Sequence, residues 1–318
     1  LTRYTKFTLG NAMPIAATAA GRDAGFREDA ITTRRLMAYA AGIGAEDEAY
    51  FDDMPRLTRD SSDEPGAHRA VPGVWGHPAF CVALEWPVVS GPAYLAAIGR
   101  SPDAPRGAVH VLQDSSFHRM IRSDDTLRTH ARIAQVRQTS AGVLVTSRVE
   151  ISVATSGDPV VTTWTAAMFL RDSLDGPAAL GEEPPVLRPD AGVSGAAPQR
   201  LDIATSAGLA HRYSECAAIW NPIHTERAAA RAIGLPGILL HGTCTWALAG
   251  QALIHAVGGG QPKRLRRLAG RFKAIVLPGD RLELEFAPQS GEVGAWQFAV
   301  RTPRDDLAIT HGVAEFSQ

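Results

Sequence analysis

The feature that most constrains the fold is a repeat whose two copies lie 155 residues apart. The copy that begins at Phe117 has the sequence FHRMIRSDDTL, and the copy that begins at Phe272 has the sequence FKAIVLPGDRL. Each has an aliphatic residue four positions after the Phe, an Asp eight positions after it and a Leu ten positions after it. Both copies stand just before a strand-rich tail. We therefore predict an internal duplication, with two copies of one α+β unit in the chain.

A segment without any apolar periodicity divides the chain between these two units. Residues 172–200 are rich in Pro, Gly and Ala, which is typical of a linker. They separate an N-terminal unit, residues 1–171, from a C-terminal unit, residues 201–318. The length of 318 residues fits two domains of ordinary size.

Helix and strand signals follow the same order in both units. In the N-terminal unit, TTRRLMAYAAGIGAEDEAY predicts a helix that begins at a Thr cap and stops at Gly42 and Gly44. Runs rich in Val, Ile and Thr follow from Thr126 to Asp172, and their breaks at TSAG and SGDP predict an antiparallel meander. In the C-terminal unit, TERAAARAIG and HGTCTWALAGQALIHAVGG predict helices, and strand signals follow from Arg267.

Composition excludes several classes of protein. The net charge of −1 argues against a nucleic-acid groove or an anionic membrane surface as partner. No apolar run is long enough to span a bilayer, and the N-terminus lacks the core of a signal peptide. The three scattered cysteines predict neither a disulfide framework nor a zinc site, so we expect a cytoplasmic protein without a bound metal. The local basic run KRLRRLAGRFK is either a solvated face or a landing site for a phosphate-bearing carrier.

The sequence WNPIH is the first candidate for chemistry. Pro222 fixes its own φ and disfavours the helical region for Asn221, so the chain is predicted to turn before the helix TERAAARAIG. This places His224 near the helix start, where the dipole disfavours the imidazolium form and lowers the pKa of the imidazole. His224 is then a plausible general base. The alternative is that His224 is a turn residue that caps local backbone.

A second candidate is the start of the long helix at His241, Gly242 and Thr243. The first N–H groups of a helix have no intrahelical partner and can stabilise a developing oxyanion. Gly242 also allows a carbonyl group to approach closely. The alternative is an ordinary buried helix with a Gly-Thr start.

In this order, these segments resemble the MaoC-like (R)-specific enoyl-thioester hydratase family, also called hydratase 2. The family pattern is an aromatic residue, then Ser-Gly-Asp-x-Asn-Pro-aliphatic-His, then Ala or Ser six residues after the His. The chain matches it at Tyr213, Asn221, Pro222, Ile223, His224 and Ala230. The resemblance implies a double hot-dog fold of class α+β, with antiparallel sheet wrapped around a long central helix in each unit. It also implies that the N-terminal unit accommodates the acyl chain and that the C-terminal unit carries the active site.

The same resemblance implies a hydro-lyase that acts on a 3-hydroxyacyl or 2-enoyl thioester. Its carrier is coenzyme A or an acyl carrier protein, and no other cofactor is implied. His224 is then the base, Gly242 supplies the oxyanion hole and Asn221 belongs to the catalytic motif. Residues expected to contact the substrate are Tyr213, Ile219, Trp220, His241, Thr243 and Trp246, with Arg271 and Lys273 near the phosphates of the carrier. For Trp220 and Trp246 the alternative is a place in the core.

One position departs from the family pattern in a way that bears on the reaction. Ala217, Ala218 and Ile219 replace the family's Ser-Gly-Asp, and the isoleucine has no proton to give or take. Loss of one general acid or base commonly costs about 10²–10⁴ in rate. Five carboxylates are candidates for the missing acid, and the alternative for each is a solvated surface group: Asp52, Asp53, Asp114, Glu215 and Glu226.

Three other functions remain open after this departure. The first is a changed reaction on the thioester, such as isomerisation, Michael-type cyclisation or hydrolysis. The second is binding of acyl chains without chemistry, and the third is a purely structural role. We further predict that the two sheets form one continuous layer with the long helices on one face. The pocket is expected at the seam between the units, in a monomer or a homodimer, because one chain already holds both units.

Overall fold

A computed structural model of the chain describes residues 14–54, 56–59, 68–71, 74–101, 107–179, 181–187 and 197–318. The predicted linker lies partly outside these ranges. In the described part, the main structure is a single ten-stranded sheet whose strands are all paired antiparallel. A separate two-stranded sheet is formed by β2 (Arg56–Arg59) and β3 (His68–Val71). The architecture is therefore α+β, as predicted.

The ten strands fall into two sets of five that meet at one seam. The N-terminal set is β1 (Asp23–Ala30), β4 (Ala108–Phe117), β5 (Thr126–Thr139), β6 (Gly142–Val153) and β7 (Pro159–Leu170). The C-terminal set is β8 (Gln199–Ala204), β9 (Leu265–Phe272), β10 (Arg281–Pro288), β11 (Ala295–Arg301) and β12 (Leu307–Phe316).

The strand order demonstrates the predicted duplication. From its outer edge to the seam, the N-terminal half has the order β1-β5-β6-β7-β4, and the C-terminal half has the order β8-β10-β11-β12-β9. Each order is first strand, third, fourth and fifth strand, then second strand. At the seam β4 pairs with β9, so the two sheets form one continuous layer as predicted.

The sequence repeat has a structural cause in the turn before β5 and β10. The carboxylate of Asp125 accepts the backbone N–H of Arg122 at 2.9 Å, and that of Asp280 accepts the N–H of Leu277 at 2.8 Å. Each Asp therefore closes a tight turn through the residue three positions before it. The Leu two positions later, Leu127 or Leu282, is fully buried in the core.

Helices α1 (Thr33–Ile43) and α4 (Leu209–Ala217) are the equivalent first helices of the two halves, and they pack against each other. The Thr32 hydroxyl accepts the N–H of Arg35 and caps α1, as predicted. Gly44 ends the helix with a φ of 71°, but Gly42 lies inside it, which corrects the prediction that it is a stop signal. A Cβ at Gly42 would lie 2.6 Å from the Cβ of Cys216, so the close approach of α4 requires a glycine there.

The central helices differ between the halves. In the C-terminal half the predicted long helix is α6 (Gly242–Ala256), which follows the short α5 (Arg227–Ala232). In the N-terminal half the central helix is broken into α2 (Cys81–Val89) and α3 (Pro92–Ala97). Pro92 lacks an N–H and disfavours the helical region for Gly91, whose ψ is 170°. The prediction of one long helix in each half is therefore wrong for the N-terminal half.

Helices α2 and α6 lie on the same face of the sheet, as predicted, because residues of both belong to one hydrophobic core. Leu84 from α2, together with Trp246 and Leu253 from α6, is fully buried there. No helix in the described part of the chain combines the length and apolar character that crossing a bilayer requires.

The seam is fastened by a buried ion pair as well as by backbone hydrogen bonds. Asp114 on β4, only 3% exposed, accepts two hydrogen bonds from the guanidinium of Arg267 on β9, at 2.8 and 2.9 Å. Arg267 also pairs with Glu315 on β12 at 2.8 Å. Because the donor and acceptor come from different halves, this network ties the two units together.

Candidate active site

The predicted catalytic motif lies in the segment between α4 and α6. Helix α4 is followed by its C-terminal cap residue, Ala218, which has a left-handed φ of 53°. Glycine tolerates this conformation better than alanine, which explains why the family pattern has Gly at this position. Asn221 then adopts an extended conformation, and its side chain accepts the N–H of Ile223 at 3.3 Å to cap the 3₁₀ turn Pro222–His224. Asn221 therefore positions the turn, and its side chain is engaged in that role.

The imidazole of His224 is held in one tautomer by the backbone. Its Nδ1 lies 2.9 Å from the carbonyl oxygen of Leu239, so Nδ1 carries the proton and donates it. The N–H of Leu239 in turn donates to the carbonyl of Ile223 at 3.1 Å. The lone pair of the remaining nitrogen, Nε2, accepts no hydrogen bond from the residues that the structure describes. His224 is partly exposed, which leaves this lone pair open to a ligand.

Burial lowers the pKa of His224 to about 4, so the imidazole is neutral at pH 7. The direction agrees with the prediction, but the proposed cause was wrong. Helix α5 begins at Arg227 with Glu226 as its cap, so His224 precedes the helix. Loss of hydration therefore replaces the helix dipole as the main cause of the low pKa.

His241 lies directly against His224. The two rings are stacked with centroids 3.6 Å apart and planes 23° apart. The Nε2 of His241 is 3.3 Å from the carbonyl oxygen of Ile219, whereas its Nδ1 is buried and has no partner among the described residues. Burial, reinforced by His224, holds the pKa of His241 well below its usual range. The two rings therefore form a neutral pair.

Helix α6 begins beside this pair, with His241 as its cap residue and Gly242 as its first residue. The N–H groups of its first turn have no carbonyl partner within the helix. A Cβ on Gly242 would lie 3.1 Å from the ring of Phe272, at the end of β9, so only glycine fits without a shift. The helix start is thus close to the seam, where the pocket was predicted.

His110 on β4 was not predicted, and it comes from the other half of the chain. Its ring meets that of Phe272 edge to face, with centroids 4.9 Å apart. Nε2 of His110 donates to the carbonyl of Leu112 at 2.7 Å and lies 2.9 Å from the Thr165 hydroxyl. Burial lowers the pKa of His110 to about 4. The sequence of β4 gave no sign that His110 lies beside Phe272, because this contact depends on the pairing of β4 with β9.

Of the three remaining aromatic residues of the predicted site, two are fully buried and one is exposed. Tyr213 is fully buried, with its hydroxyl 3.1 Å from that of Thr243 and 3.4 Å from that of Tyr39. Trp246 is also fully buried, and Trp220 is 51% exposed. Tyr213 and Trp246 therefore belong to the core, which corrects their prediction as substrate contacts. Their place at the helix interface follows from their apolar rings.

None of the five candidate carboxylates lies within hydrogen-bond distance of His224 or His241 in the described structure. Asp114 is committed to Arg267 across the seam, which contradicts its prediction as a substitute acid. Of the others, two are exposed on or beside helices and two follow a 3₁₀ turn near α1: Glu215, Glu226, Asp52 and Asp53. The pKa of His224 accordingly responds to burial and one backbone hydrogen bond, without a carboxylate.

Ile219 contributes its backbone and its side chain to the site in different ways. Its carbonyl oxygen faces His241, while the side chain is only 4% exposed and joins the main hydrophobic core. An ionised carboxylate at this position would have to be desolvated.

Arg271 and Lys273, predicted to lie near carrier phosphates, are exposed at the end of β9 that holds Phe272.

The buried neutral histidines predict a stability that depends on pH. Burial lowers the pKa of His77 to about 3 and those of His110 and His224 to about 4, below the unfolded value of about 6.5. Between these values the unfolded chain binds more protons, so stability is complete above pH 6.5 and is lost as the pH falls towards 4. We expect a lower urea midpoint at pH 5.0 than at pH 7.5.

The control for this effect is His77→Asn. His77 accepts the N–H of Ala79 through Nδ1, and Asn keeps a capping acceptor without a titrating group. The difference between the two midpoints should be smaller in this variant. Equal midpoints for the unmodified chain at both pH values would contradict the prediction.

Two family models match the chain, one in each half. Residues 193–304 match the MaoC like domain, and residues 18–163 match the FAS1-like dehydratase domain region. Among curated proteins, the chain is 29% identical over 259 residues to 3-hydroxyacyl-thioester dehydratase Y of Mycobacterium tuberculosis. That match covers 79% of this chain and 80% of the relative. Another match, 35% identical over 108 residues, is to the much longer fatty acid synthase beta subunit pkiC of Emericella nidulans, and it covers 33% of this chain and only 6% of that relative.

Solved structures resemble the whole chain. The MaoC-like dehydratase from Phytophthora capsici superposes with a TM-score of 0.73 at 19% identity, over 94% of this chain and 96% of that one. A Mycobacterium tuberculosis protein described as having a double hotdog fold superposes with a TM-score of 0.56 at 16% identity, over 93% and 95%. These likenesses confirm the predicted double hot-dog fold.

Proposed function

Because this chain belongs to the MaoC-like hydratase and dehydratase family, we propose that it is a hydro-lyase acting on an acyl thioester. It would add water to a 2-enoyl thioester or remove water from a 3-hydroxyacyl thioester. Relatives named as 3-hydroxyacyl-thioester dehydratase and enoyl-CoA hydratase support this class of reaction. The acyl group would be carried by coenzyme A or by an acyl carrier protein, and we expect Arg271 and Lys273, both exposed, to contact the phosphates of the carrier.

The observation that carries the proposal is the state of His224. Its Nδ1–H is fixed on the carbonyl of Leu239, so the lone pair of Nε2 is the part that is left for a substrate. The ring of His241 is stacked against that of His224, and His241 is also the cap residue of α6, so His224 lies beside the start of this helix. A base and unpaired backbone donors therefore lie at one place, as proton abstraction next to a thioester carbonyl requires.

In the dehydration direction, Nε2 of His224 would take the proton from the α-carbon. The electron pair of that C–H bond moves into the thioester, and the resulting enolate oxygen is stabilised by the N–H of Gly242. The β-hydroxyl group then leaves as water after it receives a proton. A buried imidazole with a pKa of about 4 is a weak base, but its conjugate acid is strong. The imidazolium itself is thus suited to return the proton to the departing hydroxyl.

A second candidate function follows from the absence of a carboxylate around His224 in the described structure. Ile219 excludes water from the place where the family has its Asp, so a reaction without water has an advantage there. Such a reaction is isomerisation or Michael-type cyclisation of a thioester, and the same pocket without turnover would be an acyl-binding site. Loss of enoyl absorbance together with an unchanged mass would indicate one of these intramolecular reactions, whereas release of free thiol would indicate hydrolysis.

Ile219→Asp tests whether this position determines the reaction. We expect the variant to hydrate a simple 2-enoyl thioester at least about tenfold faster, because it supplies the acid/base group that the family pattern has at this position. The measurement is the loss of enoyl absorbance, with addition of water verified by mass. The matched control is Ile219→Asn. The asparagine side chain is polar and nearly the same size as that of aspartate, but it cannot act as a general acid or base.

The two variants separate chemistry from simple wetting of the pocket. A gain with Asp and none with Asn supports the proposed hydration. A folded Asp variant that gains nothing would show that Ile219 does not occupy the family's acid position. Folding is checked by circular dichroism, because a carboxylate placed at a 4% exposed position is destabilising.

A further inference from the structure

The imidazole of His241 is a buried polar group beside His224 to which the proposed reaction gives no chemical role. Its Nε2 lies 3.3 Å from the carbonyl oxygen of Ile219, so this nitrogen carries the proton and donates it. The hydroxyl of Ser214, 3.5 Å from the same nitrogen, donates instead to the carbonyl of Ala210 at 2.9 Å. The other nitrogen, Nδ1, therefore has a lone pair, and none of the described residues donates a hydrogen bond to it. A buried acceptor without a donor costs free energy, which a ligand with an O–H group would recover.

Covalent geometry places this lone pair at the start of α6. His241 is the cap residue of the helix and Nδ1 is two bonds from its Cβ, so Nδ1 cannot lie far from the first backbone N–H groups. The side chain nevertheless accepts none of these N–H groups in the described structure. The ring is also stacked on that of His224, with centroids 3.6 Å apart. The lone pairs of two neutral imidazoles and the N–H of Gly242 therefore belong to one small region.

The N-terminal half contains an equivalent histidine, His77, whose role is structural. The residue two positions before His77 and the residue two positions before His241 are anchored in the same way. The N–H of each donates to the middle residue of a 3₁₀ turn, at 3.0 and 3.1 Å. These turns end at Tyr50 and His224, so a tyrosine stands in the N-terminal half where the C-terminal half has its base.

The two equivalent histidines use their nitrogens differently. Nδ1 of His77 accepts the N–H of Ala79 at 3.1 Å and caps the turn that leads into α2, and its Nε2 is the atom without a partner among the described residues. In His241 it is Nδ1 that has no partner. The histidine beside a tyrosine thus serves as a cap, whereas the histidine beside the base keeps its Nδ1 free for another contact.

We propose that Nδ1 of His241 is the second acceptor that holds the reacting water, in place of the aspartate that the family has at the position of Ile219. This inference rests on the proposed function. A water molecule has two O–H groups, of which one is donated to Nε2 of His224 and the other to Nδ1 of His241. A lone pair of its oxygen is then directed away from the two rings, towards the β-carbon of the substrate.

In the hydration direction, His224 takes the proton of the O–H group that it holds while the oxygen bonds to the β-carbon. The π electrons of the enoyl group move into the thioester, whose enolate oxygen is stabilised by the N–H of Gly242. The imidazolium of His224 then gives the same proton to the α-carbon, and the electron pair of the enolate forms the new C–H bond. The second hydrogen of the water stays on the oxygen, in its hydrogen bond to His241. Burial, reinforced by His224, holds the pKa of His241 well below its usual range, so its lone pair stays available throughout.

Two substitutions of His241 separate the roles of its two nitrogens. His241→Gln can place an amide N–H near the Ile219 carbonyl, as Nε2 does, but has no acceptor at the place of Nδ1. His241→Asn can place its amide oxygen near the position of Nδ1 but is too short to reach that carbonyl. We expect the Gln variant to lose at least about tenfold in kcat with a 2-enoyl thioester at little change in KM, and the Asn variant to keep more of the activity.

A binding measurement tests the same contact without turnover. The ligands are two pantetheine thioethers, S-(3-hydroxybutyl) and S-butyl, which cannot react because they lack the carbonyl group. In calorimetric titrations, the unmodified chain should bind the hydroxyl ligand about tenfold more tightly than the other, because the hydroxyl satisfies the buried acceptor. This preference should vanish in His241→Gln and persist in His241→Asn. The matched control is His77→Asn, which changes the equivalent histidine and should leave the preference as it is.

A preference for the hydroxyl ligand that survives in His241→Gln, or no preference in the unmodified chain, would overturn the inference. So would a loss of kcat in the Asn variant that equals or exceeds the loss in the Gln variant, because the contact with Ile219 would then be what the site needs. Circular dichroism verifies that both variants are folded. If the hydroxyl preference behaves as expected but the chain adds no water to an enoyl thioester, the hydroxyl site stands and only the proposed function fails.

Discussion

Replacing His224 with Ala should lower turnover of the acyl thioester by at least about 10²-fold, which is the lower end of the range for removal of a general acid or base. The reason is that the free Nε2 of this imidazole is the proposed proton acceptor, while its Nδ1–H is fixed on Leu239. The change is measured as kcat and KM with a 2-enoyl or 3-hydroxyacyl thioester. Because the base acts in the chemical step, kcat should fall and KM should change little.

His224→Asn is the control that distinguishes a base from a structural anchor. An asparagine N–H can replace Nδ1–H as donor to the Leu239 carbonyl, but the side chain has no basic nitrogen. If His224 is the base, the Asn and Ala variants lose activity alike. Recovery of activity by Asn would show that the hydrogen bond, and not the lone pair, is what the site needs.

Replacing Arg267 with Met should lower the free energy of unfolding by about 3–5 kcal/mol, because it leaves the carboxylate of Asp114 buried without a partner. The measurement is urea unfolding at pH 7.5. The loss should be smaller in Arg267→Met/Asp114→Asn, in which the uncompensated charge is removed as well.

Arg281→Met is the matched control for the seam. Arg281 pairs with Asp202 at 2.7 Å, also between neighbouring strands, but both side chains are more than half exposed. Exposed pairs of this kind contribute about 0–1 kcal/mol. If Arg267→Met and Arg281→Met lower the free energy of unfolding by similar amounts, burial of Asp114 does not make the seam pair more stabilising than an exposed pair.

The sequence was most informative where the structure is local. The positions of Asp125 and Asp280 in the repeat were predictable because each closes a turn within its own segment. The meander from β5 to β7 was equally clear, since alternation and turn residues act over a few positions. The Thr cap and the terminal Gly44 of α1 are local signals too.

The parts that were not predicted depend on contacts between distant segments. Gly42 has the appearance of a helix stop, and only the approach of Cys216 from the other half explains it. His110 comes close to the site because β4 pairs with β9, which no property of its own strand reveals. Likewise, the cause of the low pKa of His224 is burial by surrounding residues, which cannot be inferred from its place before a helix.

The seam between β4 and β9 also has a consequence for how the chain is made. Asp114 lies opposite Ala269, 155 residues later in the sequence. At roughly 5–20 residues per second, a ribosome needs about 8–31 s to synthesise the partner of β4 after β4 itself. During that time an N-terminal half that has already folded exposes β4 as an unpaired edge. The carboxylate of Asp114 then stands on that edge without Arg267, and its charge opposes pairing with the same strand of a neighbouring nascent chain.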